Sequence, residues 1–144
     1  MSRVCFFIGH REAPSTINKE LFRAVNEAVV VLGVTEFVVG HYGSFDRLAA
    51  AAVRQVKELH PHISLRLLLP YHPSERPIEI PEGFDGTYYP PGQEFVPYRL
   101  AIARANRHMV QECNVLIAYV KHPGNARNIL EYAERRSIPI INLA

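Results

Sequence analysis

The sequence predicts a three-layer α/β/α fold built on a mainly parallel, five-stranded sheet. Three observations carry that expectation. Short apolar runs at residues 4–8, 36–39 and 115–120 read as strands buried on both faces. Stretches of helical period alternate with them. The turns that follow these strands begin at Gly9, at Gly40 and at Pro123-Gly124. Strand and helix alternating along one chain is the pattern of a parallel sheet covered by helices.

Taken in order, the first strand is residues 4–8 (VCFFI). A helix over 16–32 follows, capped by Ser15 or Thr16, with Leu21, Val25, Ala28 and Leu32 on one face. The second strand is 36–39 (EFVV). The helix at 45–59 has the clearest pattern: Leu48, Ala49, Ala52, Val53, Val56 and Leu59 form a stripe, and Arg47, Arg54, Lys57 and Glu58 point outward. A third strand, 64–69, stops at Pro70. Residues 71–97, rich in Pro, Gly and Tyr, are too long for a casual connection. They read as a functional flap, or as the carrier of a short extra strand near Thr87 to Tyr89. A helix at 98–112, a strand at 115–120, a helix at 126–136 and a strand at 138–143 complete a single domain over 1–144.

At 144 residues, 48% hydrophobic and 21% charged, the chain can bury a core without staples. Its net charge of +2, with basic residues scattered, gives no field that announces a nucleic-acid partner. Cys5 and Cys113 sit in apolar contexts without ligand spacing and read as buried, reduced thiols, which suits the cytoplasm. The chain reaches a strand by residue 3 with no signal-peptide pattern, and no apolar run approaches the ~20 residues needed to span a bilayer. A cytoplasmic protein without membrane contact is expected.

Ligands of open parallel sheets bind outside the carboxyl ends of the strands. Three turns therefore carry the candidate site. In the first, Gly9 permits a sharp turn and close backbone approach, while His10 and Arg11 supply donors for a phosphate. In the second, Gly40 and Gly43 open a helix whose amides, with Ser44, can cradle a phosphate. Asp46 there caps the helix or bonds a ribose hydroxyl, and Phe45 is either core or a platform for a base. In the third, Gly124, Asn125, Arg127 and Asn128 surround a helix start. Glu131, on the same face as Arg127, is either the partner of Arg127 or Arg135 on a solvated face or a carboxylate aimed into the cleft. Arg99 and Asn106, seven positions apart on the 98–112 helix, share a face that can look into the same cleft.

Several chemistries are disfavoured. No zinc-like His/Cys spacing appears, so no metal is expected. Ser44 lacks the flanks of a nucleophile elbow, and neither a Walker loop nor a full G-x-G-x-x-G is present. No cofactor is implied.

Residues 5–11 (CFFIGHR), 40–46 (GHYGSFD) and 106–110 (NRHMV) through 117–120 (IAYV) resemble the motifs of the SLOG superfamily, and within it the branch related to the bacterial protein YpsA. The resemblance runs from residue 4 to residue 143. It implies a Rossmann-like domain that binds a nucleotide or nucleotide derivative such as an ADP-ribose-like molecule, as a sensor, and that pairs as a homodimer through helices. Val29, Val30 and Val31 are candidates for that interface.

The related LONELY GUY phosphoribohydrolases carry Pro-Gly-Gly-x-Gly-Thr-x-x-Glu after the corresponding strand. Pro123, Gly124 and Glu131 match it, whereas Asn125, Arg127 and Asn128 replace the other two glycines and the threonine. Asn114 stands where relatives usually carry an aspartate, and the enzymes' arginine falls on Ala105, with Arg104 and Arg107 out of register. The resemblance therefore implies ligand binding first. An N-glycosidic hydrolase with Glu131 as its catalytic carboxylate is the alternative. A further relative, DNA-processing protein A, binds single strands, but the weak charge makes nucleic acid an unlikely partner here.

Overall fold

The computed structural model describes residues 2–144. Six strands, β1 (Val4–Gly9), β2 (Glu36–Val39), β3 (Ser64–Leu68), β4 (Gly86–Tyr88), β5 (Val115–Tyr119) and β6 (Ile140–Asn142), form one sheet in the order β4-β3-β2-β1-β5-β6. Every neighbouring pair is parallel. The helices are α1 (Asn18–Val30), α2 (Ser44–Leu59), α3 (Ala101–Glu112) and α4 (Asn125–Arg135).

The central strands β1 and β5 are almost wholly apolar because both of their faces are covered. Cys5, Phe7, Phe37, Val39, Leu65, Val115 and Ile117 join the core that holds Leu21 and Val25 of α1 and Val53 and Val56 of α2. Phe6, Val38, Leu68, Leu116 and Ala118 join the core that holds Met109 and Val110 of α3 and Ile129 and Leu130 of α4. Neighbours in sequence thus turn to opposite layers. Each large side chain so buried contributes roughly 2–3 kcal/mol. Cys5 and Cys113 are free and buried. Burial pushes both thiols up, Cys113 to about 11. Among the described residues, no helix is long and apolar enough to cross a membrane.

The sheet has six strands where the apolar pattern predicts five. The extra one is β4, whose three residues, none fully buried, add an edge beside β3. Polar partners hold it in place of apolar ones. Asp85 accepts from the Leu65 N–H at 2.8 Å and pairs with Lys57 at 2.5 Å. Arg66 pairs with Glu36 at 2.6 Å and donates to the Thr87 carbonyl at 2.9 Å.

Two helix starts also differ from expectation. Residues 15–17 form a 3-10 turn before α1, and neither Ser15 nor Thr16 makes a side-chain cap. Residues 98–100 form a similar turn before α3. At the far end of α1, Val29 is buried, but Val30 and Val31 are 63% and 68% exposed.

Candidate functional site

The chain builds β1 to β4 on one side of the sheet, then crosses to β5 and β6 on the other. The strand order therefore reverses between β1 and β5, and a ligand crevice belongs there. A cleft of about 670 Å³ opens at that point. Gly9, His10, Arg11 and Glu12 line it from the end of β1, and Gly40, Tyr42 and Asp46 from the end of β2. Arg99, Ala105, Asn106 and Arg107 come from the α3 side, and His122, Gly124, Asn125 and Asn128 from the turn into α4.

The two glycine-led helix starts look alike in sequence and are used differently. At α2, the Ser44 N–H donates to the Arg11 carbonyl at 2.8 Å, and Ser44 Oγ donates to the Ala13 carbonyl at 2.7 Å. The Tyr42 N–H donates to Asp46 Oδ2 at 2.9 Å. The chain after β1 lies across this helix start and brackets it, taking up the first backbone donor and the Ser44 hydroxyl, while the Phe45 and Asp46 N–H groups keep no protein acceptor among the described residues. Gly43, Ser44 and Phe45 do not line the cleft. Phe45 is 1% exposed and fills the core against Phe7, which is the core alternative of its two readings and not the base platform.

The start of α4 is open by contrast. Its first intrahelical bond is Asn128 N–H to the Gly124 carbonyl, at 3.1 Å. The N–H groups of Asn125, Ala126 and Arg127 have no protein acceptor among the described residues, and the turn that carries them borders the cleft. Unpaired N–H groups at the positive end of a helix dipole suit an anion. Both helix starts use a glycine at positive φ, 134° at Gly43 and 145° at Gly124, a conformation other residues adopt only under strain.

His10 is buried and ties two turns together. Its Nε2 accepts the Lys121 N–H at 2.9 Å and lies 3.4 Å from the His122 nitrogen. An accepting Nε2 is unprotonated, so the neutral ring carries its proton on Nδ1. His10 stacks on His122, and His122 Nε2 lies 2.9 Å from Glu12 Oε1. Neither His122 nor Glu12 was singled out from sequence, although His122 sits in the same turn as Pro123. His10, Glu12 and His122 each have a metal-ligating atom within 4.8 Å of the others. Parallel stacked rings aim their in-plane lone pairs past one another, so the three do not converge on one ion as placed.

Charge in the cleft is mainly positive, from Arg11, Arg99 and Arg107. Glu12 and Asp46 oppose it. Burial drives the Asp46 carboxyl up to about 6 against the hydrogen bond from Tyr42, so that group is partly protonated near neutrality. Burial also lowers His41, whose Nδ1 has no hydrogen-bond partner among the described residues. Arg127 is half-buried, does not line the cleft, and has an Nε without a partner among the described residues.

Arg99 and Asn106 both reach the cleft, as does Ala105. Arg104 lies on the other side of α3. Glu131 is exposed and absent from the lining, and makes no ion pair with Arg127 among the described residues. The 71–97 segment does not cover the cleft: it supplies β4 and a wall elsewhere.

No family model and no curated protein matches the chain. Among solved structures it is similar to DNA processing protein A (DprA) from Streptococcus pneumoniae, with 15% identity and a TM-score of 0.69, over 99% of this chain and 50% of that one. It is also similar to the molybdenum cofactor binding protein from Rippkaea orientalis, with 13% identity and a TM-score of 0.66, over 99% of this chain and 76% of that one. The molybdenum cofactor carrier protein from Chlamydomonas reinhardtii aligns at 12% identity and a TM-score of 0.60, with the same coverage as the Rippkaea protein. The chain spans about half the length of the DprA structure. These likenesses show the fold, a Rossmann-like α/β domain with a parallel sheet.

Proposed function

We propose that this chain is a SLOG-type domain of the YpsA-related branch that binds a nucleotide or ADP-ribose-like molecule in the cleft between β1 and β5. The observation that carries the reading is the open start of α4, with its unpaired N–H groups beside Arg11 and Arg99 at the sheet's reversal point. In this reading a phosphate sits at that helix start, with the His10 Nδ1–H among its donors. Asn125 and Asn128 bond ribose hydroxyls, and the base lies toward Tyr42 and Asp46. The exposed Val30 and Val31 form the homodimer interface.

The test is calorimetry against a panel of nucleoside monophosphates, diphosphates and ADP-ribose. The panel also includes molybdenum cofactor and a single-stranded oligonucleotide, because the structural neighbours carry those names. Arg11→Ala and Arg99→Ala are each expected to weaken nucleotide binding about tenfold or more, the loss of a charge-assisted hydrogen bond. Ser44→Ala, which removes only an internal bond, leaves affinity within about twofold. No heat with any nucleotide, or equal losses in all three variants, rejects the reading.

Hydrolysis is not part of it, because Glu131 is exposed and does not line the cleft. Free base released from a nucleoside monophosphate, and lost in Glu131→Ala, would reinstate the phosphoribohydrolase alternative.

A further inference from the structure

A second cavity of about 670 Å³ lies across α3 from the cleft; Arg107 borders both, and the nucleotide reading uses none of the second cavity's other residues. Its floor is a single stripe of α3. Arg104, Arg107, His108 and Gln111 recur at i, i+3, i+4 and i+7, so their side chains rise from one face of the helix. Opposite them stand the turn at residues 90–92, stiffened by Pro90 and Pro91, and Tyr132 of α4.

Several of these groups are already held in place. The Arg107 guanidinium carbon lies 4.2 Å from the centre of the Tyr132 ring. Gln111 Nε2 donates to the Tyr132 hydroxyl at 2.9 Å, and His108 Nε2 is 2.7 Å from the Tyr88 hydroxyl. A guanidinium stacked on a ring keeps its in-plane N–H edge free, and that edge forms a rigid fork matched to phosphate oxygens. No carboxylate lines the cavity, and no ion pair among the described residues engages Arg104 or Arg107. Two exposed, unneutralised guanidiniums bordering one concavity add positive potential there.

We propose that this cavity is an anion site that takes the phosphate group of a small molecule, gripped by Arg104 and Arg107. The size fits that class, since small-molecule pockets run to about 300–1,000 Å³. Two arginines suit one phosphate. A polynucleotide would need a longer cationic track, on the order of 6–10 contacts for strong binding, and the chain's net charge is only +2.

The test is an amide NMR titration of the full chain with inorganic phosphate, in the wild type, Arg104→Gln and Arg11→Gln. Saturable shifts are expected at residues 92–93 and 104–111. Their dissociation constant should rise at least tenfold in Arg104→Gln and stay within twofold in Arg11→Gln, which separates this site from the cleft. If Arg104→Gln loses spectral dispersion, Arg104→Lys is titrated instead. It keeps the charge without the fork, and at least a threefold weakening is expected. Shifts confined to residues 9–12 and 124–128, or groove shifts that survive the Arg104 substitution, overturn the proposal. So does a groove that responds to a twelve-residue oligothymidylate and not to phosphate.

Discussion

His10 and His122 stack face to face, ring centroids 3.7 Å apart and 3° from parallel, yet their protons are pulled in opposite directions. Burial, then the charge of His122, lowers His10 below 6.5. The Pro123 carbonyl and Glu12 raise His122 above 6.5. The geometry explains the split: His10 Nε2 accepts a backbone N–H, so protonating it breaks the tie between two turns, whereas exposed His122 has acceptors waiting for its proton. Imidazole NMR titration should show two midpoints, one on each side of 6.5. Glu12→Gln should lower the upper one, and His122→Ala should raise the lower. A single shared midpoint would mean that the stack does not persist in solution.

The same pair shapes stability against pH. For His10, the unfolded chain binds the proton more readily, so its contribution is full above pH 6.5 and is lost as pH falls through the folded value. For His122 the folded chain binds the proton more readily, so its contribution is full below 6.5 and is lost as pH rises through the folded value. The difference in urea midpoint between wild type and the His10→Gln, His122→Gln double variant should therefore peak near pH 6.5. A difference that climbs steadily from pH 5 to 8 contradicts this account.

Asp46 carries the opposite sign from an ordinary surface carboxylate. Its folded pKa of about 6 exceeds the ordinary 3.8, so ionising it in the fold costs stability as pH rises between those values. Asp46→Asn keeps an oxygen for the Tyr42 N–H and removes the buried charge. A gain on the order of 1 kcal/mol is expected at pH 8, and none at pH 4. Anionic ligands should bind the cleft more weakly as pH rises through 6 in the wild type, and less so in Asp46→Asn. Paired denaturation and calorimetry at both pH values check the two halves.

The legible part of this protein was its backbone plan. Runs such as residues 4–8 and 115–120 are apolar because both faces are covered, and local sequence reports that directly. β4 shows no apolar run and was legible only as one alternative, a short extra strand near Thr87 to Tyr89, because Asp85 and Arg66 help to hold it through partners from other elements. The second and third turns were indistinguishable in chemistry, each a glycine-led helix start with polar residues. Only the tertiary placement of residues 11–13 over α2 makes one a bracket and leaves the other open. Phe45 follows from that bracket, since the residue after Ser44 is driven into the core. Spacing alone leaves Glu131 between its two readings: at about 100° per residue it lies roughly 60° around α4 from the cleft-lining Asn128 but about 160° from Ile129, and only the structure shows it exposed.

Asn114 does a job that an aspartate could also do. Its Oδ1 accepts the Val4 N–H at 2.8 Å, and its own N–H donates to the Val4 carbonyl at 2.7 Å, joining β1 to the start of β5. Only the side-chain oxygen is needed for the first bond. Asn114→Asp should change unfolding free energy by less than about 0.5 kcal/mol, while Asn114→Ala, which strands the Val4 donor, should cost about 1–2 kcal/mol. Urea denaturation separates them. Equal losses would show that the amide nitrogen matters as well.

Gly9 is required by Phe45 before any ligand is considered. A Cβ at Gly9 would overlap the Phe45 ring, which is 1% exposed and packed on Phe7. Gly9→Ala should therefore cost about 2–3 kcal/mol through overpacking. Phe45→Leu alone should cost about 1–2 kcal/mol by leaving a cavity. Because the smaller side chain makes room for the methyl, the double variant should be more stable than the sum of the single losses predicts, by about 1 kcal/mol or more. Additive losses would mean that the ring is not what excludes a side chain at Gly9. The close approach of a ligand to the end of β1 would then be the use left for this glycine.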